Sequence, residues 1–158
     1  MVGGIIPTSF PVLPGQQAAL RRRSVADQVA ERSARPQSYL NMAYILIVDS
    51  QAEFRQQLVL QLDKAGHRAA AVATVSAAIQ LIEDEVPDLL ATDGVLSDGS
   101  STSLVQQAQA AGAKVLIMTG NPDRIVELDG AGQPYVSKPV APEAFVQRVR
   151  QVLGEAEE

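Results

Sequence analysis

The chain has 158 residues, a formal net charge of −5 and 46% hydrophobic residues, which suits one soluble globular domain. It contains no Cys and one His, which excludes disulfide frameworks, cysteine-ligated zinc, thiol nucleophiles and multi-histidine metal sites. No stretch approaches the roughly 20 apolar residues of a membrane span. We therefore expect a cytoplasmic protein with no membrane partner. Aromatic residues make up 4% of the chain and Trp is absent, so base-stacking surfaces for single-stranded nucleic acid are not expected.

The charge is unevenly distributed along the chain. Residues 1–41 contain five Arg and two acidic residues, a balance of +3, whereas the remainder contains 8 basic and 16 acidic residues, a balance of −8. An acidic body repels the phosphates of nucleic acid, so we expect no nucleic acid partner. The same body suits a bound cation or a basic partner protein.

Residues 1–42 are predicted to form a disordered or partly helical extension. The first 15 residues are rich in Gly and Pro, which is typical of a linker. Residues 16–35 could form an amphipathic helix, but a solvated arm is favoured because an isolated helix is marginal in water. A third interpretation is that the natural protein starts at Met42. We assign residues 43–154 to the folded domain and residues 155–158 to an acidic tail.

From residue 43 onward, short apolar runs alternate with amphipathic segments. The apolar runs are bounded by turn residues and are predicted to be strands, at residues 44–48, 67–72, 89–92, 114–118 and 133–137. Most of the segments between them have helical periodicity and are predicted to be helices, at residues 51–65, 76–85, 122–128 and 142–153, with a further helix ending near residue 111. Residues 94–103 are predicted to be a loop whose Ser or Thr caps that further helix. The helix at 122–128 is predicted to have at most two turns.

Strands that alternate with helices predict βα units and a parallel sheet. Right-handed crossovers place the carboxyl ends of all the strands on one edge of such a sheet. The predicted fold class is therefore α/β, a doubly wound five-stranded parallel sheet with helices on both faces. Ligands bind at the carboxyl edge of sheets of this kind.

Polar side chains follow four of the five predicted strands: Asp49 with Ser50, then Asp93, Thr119 and Lys138. Two carboxylates at adjacent strand ends form the oxygen-rich kind of site that Mg²⁺ favours. A cation there would neutralise an incoming phosphoryl group, so that an Asp could attack it. A Lys and a Thr hydroxyl on the flanking strands would bind the phosphoryl oxygens.

Each of these residues also has a simpler interpretation when it is considered alone. Asp49 could cap the first helix, Lys138 could be a solvated lysine at a strand end, and Thr119 could be a loop hydroxyl. His67 lies away from the carboxyl edge and is predicted to be a neutral histidine that is exposed or partly buried. The occurrence of Asp49, Asp93, Thr119 and Lys138 together at one edge of the sheet favours a functional site.

The sequence from residue 43 to 154 resembles the CheY-like receiver domain of bacterial two-component response regulators. The resemblance rests on the order and spacing of five runs: ILIVD at 45–49, PDLLATD at 87–93, DGS at 98–100, VLIMTG at 115–120 and YVSKP at 135–139. It implies a flavodoxin-like sheet with the strand order 2-1-3-4-5. It also implies a phosphorelay function, in which the domain accepts a phosphoryl group from a histidine kinase or phosphotransfer protein. The signal would then pass to a downstream protein target by protein–protein contact.

The resemblance implies a role for each matching residue. Asp93 would be the phosphoacceptor, and Mg²⁺ would be bound by Asp49, Asp93 and the backbone carbonyl of Val95. Lys138 would contact the phosphoryl group and would pair with Asp93 before phosphorylation. Thr119 would be the switch hydroxyl that moves toward the phosphate.

Further residues match the family or depart from it. Tyr135 would be the coupled aromatic that turns inward, and Pro139 matches a family Pro that is often preceded by a cis peptide. Ser50 replaces the second member of the usual acidic pair. We therefore expect it to hold Mg²⁺ only weakly, through a water, and we expect weaker Mg²⁺ binding than is typical. Ser97 replaces a family Pro and should loosen the loop after the acceptor.

Three functional hypotheses follow from these observations. The first is a single-domain response regulator, since little sequence follows residue 154; it would not be an enzyme, although it would assist its own phosphoryl transfer and hydrolysis. The second is a pseudo-receiver that binds partners without being phosphorylated. The third is a small Mg²⁺-dependent phosphohydrolase with an aspartyl nucleophile. It ranks last because Gly94 and Val95 supply no second acid beyond the nucleophile.

Overall fold

The computed structural model describes residues 42–154, so the predicted N-terminal extension and acidic tail lie outside the described residues. Seven strands occur in the described part: β1 (Tyr44–Val48), β2 (Arg68–Val72), β3 (Leu89–Asp93), β4 (Val95–Leu96), β5 (Gly99–Ser100), β6 (Lys114–Thr119) and β7 (Tyr135–Ser137). Five helices accompany them: α1 (Ala52–Lys64), α2 (Val75–Asp84), α3 (Thr102–Ala110), α4 (Pro122–Ala131) and α5 (Pro142–Leu153). None of these helices is long and apolar enough to cross a membrane.

The main sheet contains five strands in the order β2-β1-β3-β6-β7, and every neighbouring pair is parallel. The short strands β4 and β5 pair with each other as an antiparallel hairpin and do not join this sheet. When the hairpin is set aside, the order of the main strands is the expected 2-1-3-4-5. The predicted fold class is therefore confirmed.

The central strand β1 shows why its sequence is apolar without interruption. Leu46 and Val48 belong to the core on the face that α2, α3 and α4 cover. Ile45 and Ile47 belong to the core on the opposite face, which α1 and α5 cover. A strand in a parallel sheet that is covered on both faces has no solvent-facing position, so alternate residues serve alternate cores.

Helical spacing predicts that Phe54, Leu58 and Leu62 face inward in α1 and that Phe145, Val149 and Val152 do so in α5. The structure confirms this prediction, because all six lie in or against the same core. Leu58 and Leu62 of α1 are fully buried, as are Phe145 and Val149 of α5. Burial of each such side chain contributes about 1.5–3 kcal/mol. This packing holds both helices against one face of the sheet, and it therefore positions the segments that enter α1 and α5 at the carboxyl edge.

Helix α4 is longer than the sequence predicted. The predicted limit of two turns at 122–128 is wrong, because the helix extends over Pro122–Ala131. The side chain of Asn121 caps its first turn, and Gly132 ends it in the left-handed conformation with φ of 67°. Gly130 lies inside this helix, and a helix tolerates an internal Gly at a cost of about 1 kcal/mol. Two well-formed ends and the buried Leu128 outweigh that cost.

The segment at 94–103 is more regular than the predicted loop, because it contains the β4–β5 hairpin. The capping of the following helix, α3, also differs from the prediction. Ser101 occupies the N-cap position of α3 without a side-chain capping bond, and its hydroxyl donates to the carbonyl of Gly94 at 3.2 Å. The hydroxyl that accepts a first-turn N–H belongs to Ser100, which accepts from Thr102 at 3.2 Å.

His67 is buried, so the prediction of an exposed or partly buried histidine is wrong. Its Nδ1 accepts the backbone N–H of Ala43 at 3.0 Å, and a nitrogen that accepts a hydrogen bond carries no proton. The imidazole links the entry of β2 to the entry of β1. No local sequence pattern predicts this contact, because the two residues lie 24 positions apart.

Candidate functional site

Three charged side chains converge at the carboxyl edge of the main sheet. Asp49 follows β1, Asp93 ends β3 and Lys138 follows β7. The Nζ of Lys138 lies 2.5 Å from Oδ2 of Asp49 and 3.3 Å from Oδ2 of Asp93. The sheet order makes β1 and β3 direct neighbours, and the structure thereby brings together the three residues that the sequence placed on one edge.

Asp49 is fully buried and is held from several sides. Its Oδ1 accepts the N–H of Gln51 at 2.9 Å, and its backbone carbonyl accepts from Arg55 at 2.6 Å. The N-cap of α1 is Gln51, so the simpler interpretation of Asp49 as the cap of this helix is wrong. A buried carboxylate costs several kcal/mol unless a partner compensates it, and Lys138 supplies that partner.

Lys138 is fixed by its backbone as well as by its ion pairs. Its N–H donates to the carbonyl of Thr119 at 2.8 Å, and the peptide bond to Pro139 is cis. Its Nζ lies 5.3 Å from the centre of the Phe54 ring, within the range of a cation–π contact. The expected pairing with Asp93 is present, and the contact with the buried Asp49 is the shorter of the two.

Thr119 is buried beside Asp93, and both residues line a pocket of about 430 Å³. The Oγ1 of Thr119 accepts the N–H of Asn121 at 3.1 Å. Tyr135 is half-buried against the core under α2, α3 and α4. A hydrogen bond to Asp129 is the main cause that raises the pKa of the Tyr135 phenol above its usual value.

The other two candidate metal ligands, Val95 and the weaker Ser50, are solvent-accessible. Ser50 is exposed, and Val95 is 77% exposed at the rim of the same pocket as Asp93. Over residues 42–154, no group of three or more acidic or histidine side chains is placed to hold a metal ion. Two carboxylates, one carbonyl and one hydroxyl are nevertheless hard oxygen donors that suit a Mg²⁺ ion with several waters. The residues fit the metal, although they offer one charge fewer than a three-acid site.

The hairpin that follows Asp93 is attached to α2 through Asp98. The carboxylate of Asp98 accepts the N–H of Val75 at 2.9 Å and that of Ser76 at 3.0 Å. Both donors belong to the first turn of α2, where the helix dipole also favours a negative charge. These bonds lower the pKa of Asp98 below its usual value. The suggestion that Ser97 loosens this loop stays a prediction.

The lowered pKa of Asp98 predicts a pH-dependent contribution to stability. A group whose folded pKa is lowered stabilises the fold above its unfolded pKa and loses that contribution as the pH falls through the folded value. We expect Asp98→Asn to be less stable than the natural protein at pH 7, and the difference to shrink below about pH 4. Urea unfolding at both pH values measures it. Asp84→Asn, at the other end of α2, is the control and should show no such loss; an equal difference at both pH values would contradict the assignment.

The sequence interpretation assigned no role to three residues of this region. Asn121 caps α4, Arg124 lines the pocket and Asp98 binds the start of α2. The dipeptide Asn-Pro at 121–122 is a usable signal for a helix start, and it would have identified the cap. No local pattern marks the other two, because their contacts depend on elements that meet only in the folded chain.

The fold and the paired carboxylates beside a lysine define the class of protein. The arrangement is that of a doubly wound α/β domain with an acidic site at the carboxyl edge of its sheet. The family model of the response regulator receiver domain matches residues 45–150. The chain therefore belongs to the response regulator receiver domain family, and the resemblance found in the sequence is confirmed.

The chain is similar to longer curated proteins over their receiver-sized part. It is 28% identical over 116 residues to the phosphate regulon transcriptional regulatory protein PhoB of Pseudomonas aeruginosa, covering 69% of this chain and 51% of that protein. It is 26% identical over 117 residues to the virulence transcriptional regulatory protein PhoP of Salmonella typhimurium, covering 71% and 52%. The chain thus spans about half the length of the curated relatives it matches.

A solved structure supports the same assignment. The chain is 27% identical to the CheY-like response regulator receiver domain protein from Methanospirillum hungatei, with a TM-score of 0.64, and the match covers 72% of this chain and 94% of that one. A receiver domain is a signalling module and not an enzyme in the usual sense.

Proposed function

We propose that Asp93 accepts a phosphoryl group from a histidine kinase or phosphotransfer protein and that the chain passes the signal on by protein–protein contact. The observation that carries the proposal is the position of Asp93, partly exposed at a pocket with Lys138 3.3 Å from its carboxylate. The partner reaches Asp93 through this opening. The exchange takes place in the cytoplasm, which agrees with a chain that contains no cysteine.

The chemistry is a direct transfer between the donor and Asp93. A carboxylate oxygen forms a bond to phosphorus, the P–N bond of the donor phosphohistidine breaks, and its electron pair returns to the imidazole nitrogen. The N–H of Gly94 holds Oδ1 of Asp93 at 2.8 Å, which orients the carboxylate for the attack. Lys138 and Thr119 then bind the non-bridging oxygens of the new phosphoryl group. Catalysis of this kind depends mainly on position and charge.

A divalent cation completes the charge balance of the site. Asp49, Asp93 and the backbone carbonyl of Val95 would hold Mg²⁺, and Ser50 would contribute through a water. Bound there, Mg²⁺ would neutralise negative charge on the phosphoryl group. We expect its affinity to be lower than in a site with three acids, since Ser50 adds no charge and Lys138 already compensates both carboxylates.

Phosphorylation would be communicated by Thr119 and Tyr135. The Thr119 hydroxyl moves toward the phosphoryl oxygens, and Tyr135 turns into the space that becomes available. Asp129 of α4 raises the pKa of the Tyr135 phenol in the present state, so a movement of Tyr135 would also change the surroundings of the carboxyl-terminal half of α4. The surface formed by α4, β7 and α5 then differs between the two states, which a downstream protein target can recognise.

A pseudo-receiver is the second candidate, and one observation favours it. Lys138 contacts both Asp49 and Asp93 and lies closer to Asp49, so its positive charge compensates much of the negative charge of the site without a metal. Ser50 is exposed and adds no charge to the site. A domain of this kind would bind its partner through its surface alone. The two candidates differ in whether Asp93 is modified.

The test is to incubate the purified chain with Mg²⁺ and a small phosphodonor and to record its intact mass. A working receiver gains about 80 Da, the mass of one phosphoryl group, and needs Mg²⁺ to do so. Stoichiometric gain distinguishes it from a phosphohydrolase, which would release inorganic phosphate over many turnovers. If no mass is gained with small donors or with a panel of histidine kinases, the pseudo-receiver replaces this proposal.

A further inference from the structure

A second positive charge lies at the pocket above Asp93. One wall of this pocket is the segment after β3, with Asp93 and Ser100, and the other is the first turn of α4, with Asn121 and Arg124. Among the described residues that line it, Asp93 carries the negative charge and Arg124 the positive charge. Lys138 binds Asp93 but does not line this pocket, so Arg124 is the cation of the pocket lining.

The position of Arg124 on its helix is electrostatically unfavourable. The side chain of Asn121 accepts the N–H groups of Asp123 at 2.9 Å and of Arg124 at 3.4 Å, which places Arg124 in the first turn of α4. The helix dipole disfavours a positive charge there. The helix dipole therefore does not account for an arginine at this position, whereas an anion that enters the pocket would.

The present partner of Arg124 holds it only weakly. Its guanidinium contacts Glu127 at 3.0 Å, and the two side chains are 40% and 67% exposed. Exposed ion pairs contribute little, so exchange for another carboxylate costs little. The planar guanidinium has five N–H donors and matches a carboxylate in a two-point contact. An incoming carboxylate can therefore compete with Glu127 for the guanidinium.

Phosphoryl donors fall into two chemical classes, which differ in the charge of the leaving group. When an acyl phosphate donates, the bond from Asp93 to phosphorus forms and the P–O bond breaks, and the electron pair leaves with a carboxylate anion. When a phosphoramidate donates, the P–N bond breaks and the protonated nitrogen leaves as a neutral amine. Negative charge develops on the leaving group only in the first class. A cation beside the leaving group therefore accelerates acyl phosphates selectively.

We propose that Arg124 is a specificity-determining residue that binds the anionic leaving group of acyl phosphate donors in the pocket above Asp93. This inference rests on the proposed function of Asp93 as the phosphoacceptor. Glu127 competes with the leaving group for the guanidinium, so the pair Arg124–Glu127 sets how strongly acyl phosphates are preferred.

The experiment compares two donors, acetyl phosphate and phosphoramidate, on the full chain with Mg²⁺. The apparent rate constants of phosphorylation are measured by intact mass. The readout is the ratio of the rate constant with acetyl phosphate to the rate constant with phosphoramidate. Arg124→Gln is expected to lower the acetyl phosphate rate by about 5-fold, the size of an exposed charge contact, with the phosphoramidate rate nearly unchanged. Arg124→Lys should give an intermediate ratio, since it keeps the charge without the two-point contact. Glu127→Gln should raise the ratio.

The outcomes separate this inference from the proposed function. An unchanged ratio in Arg124→Gln overturns the inference, and so does an equal loss with both donors, because the effect would then lie at Asp93 itself. In both cases the natural protein is still phosphorylated and the proposed function stands. If neither donor modifies the natural protein, the inference fails, and the panel of histidine kinases then decides whether the proposed function fails as well.

Discussion

Asp93→Asn is expected to abolish phosphoryl acceptance while the fold is retained. An amide has no negative oxygen to attack phosphorus, so the mass gain of about 80 Da should disappear. Asn has nearly the shape of Asp and can still accept the N–H of Gly94, which stabilises the natural side chain at 2.8 Å. Intact mass after incubation with Mg²⁺ and a small phosphodonor measures the effect, and urea unfolding checks the fold.

The control for this variant is Asp84→Asn, which removes an exposed carboxylate at the end of α2. It should be phosphorylated at the natural rate. If Asp93→Asn still gained a phosphoryl group, another residue would be the acceptor and the assignment of Asp93 would be wrong. The remaining contact of Lys138 with Asp49 should keep the site assembled in the Asn variant, because it is the shorter of the two ion pairs.

Ser50→Asp is expected to raise the affinity for Mg²⁺ by at least about tenfold. The change adds a third carboxylate to a site that has two, and a tenfold change corresponds to about 1.4 kcal/mol, a modest value for one added charge beside a divalent cation. Ser50 is exposed, so the new carboxylate can be accommodated without repacking of the core. Isothermal titration calorimetry with Mg²⁺ measures the affinity, and the rate of phosphorylation should increase with it at low Mg²⁺.

Ser50→Asn is the matched control, because it has the shape of the Asp variant without its charge. It should bind Mg²⁺ about as weakly as the natural protein. Without metal, Ser50→Asp should be slightly less stable than the control, since three acids then share Lys138, and added Mg²⁺ should reverse that order by binding the folded state. Equal Mg²⁺ affinity in the two variants would show that the missing charge at position 50 does not limit binding.

The sequence by itself predicted the architecture because the strands are buried on both faces. Residues 44–48 and 142–153 were predicted with the observed bounds, and the inward positions of α1 and α5 were identified from their spacing. Local periodicity is sufficient for such elements, since burial alone decides which residue types they contain. Topology rules then placed Asp49, Asp93 and Lys138 on one edge before any distance was known.

Contacts between distant elements were decided only by the tertiary structure. Lys138 approaches Asp49 more closely than Asp93, Asp98 binds the start of α2, and Arg124 lies at the pocket. Each of these features depends on segments that are remote in sequence or belong to different elements. The burial of His67 belongs to the same group. A side chain's partner depends on the register and crossing of elements, which the pattern of one segment does not encode. The sequence therefore determined which residues meet at the edge, and the folded chain determined which of them pair.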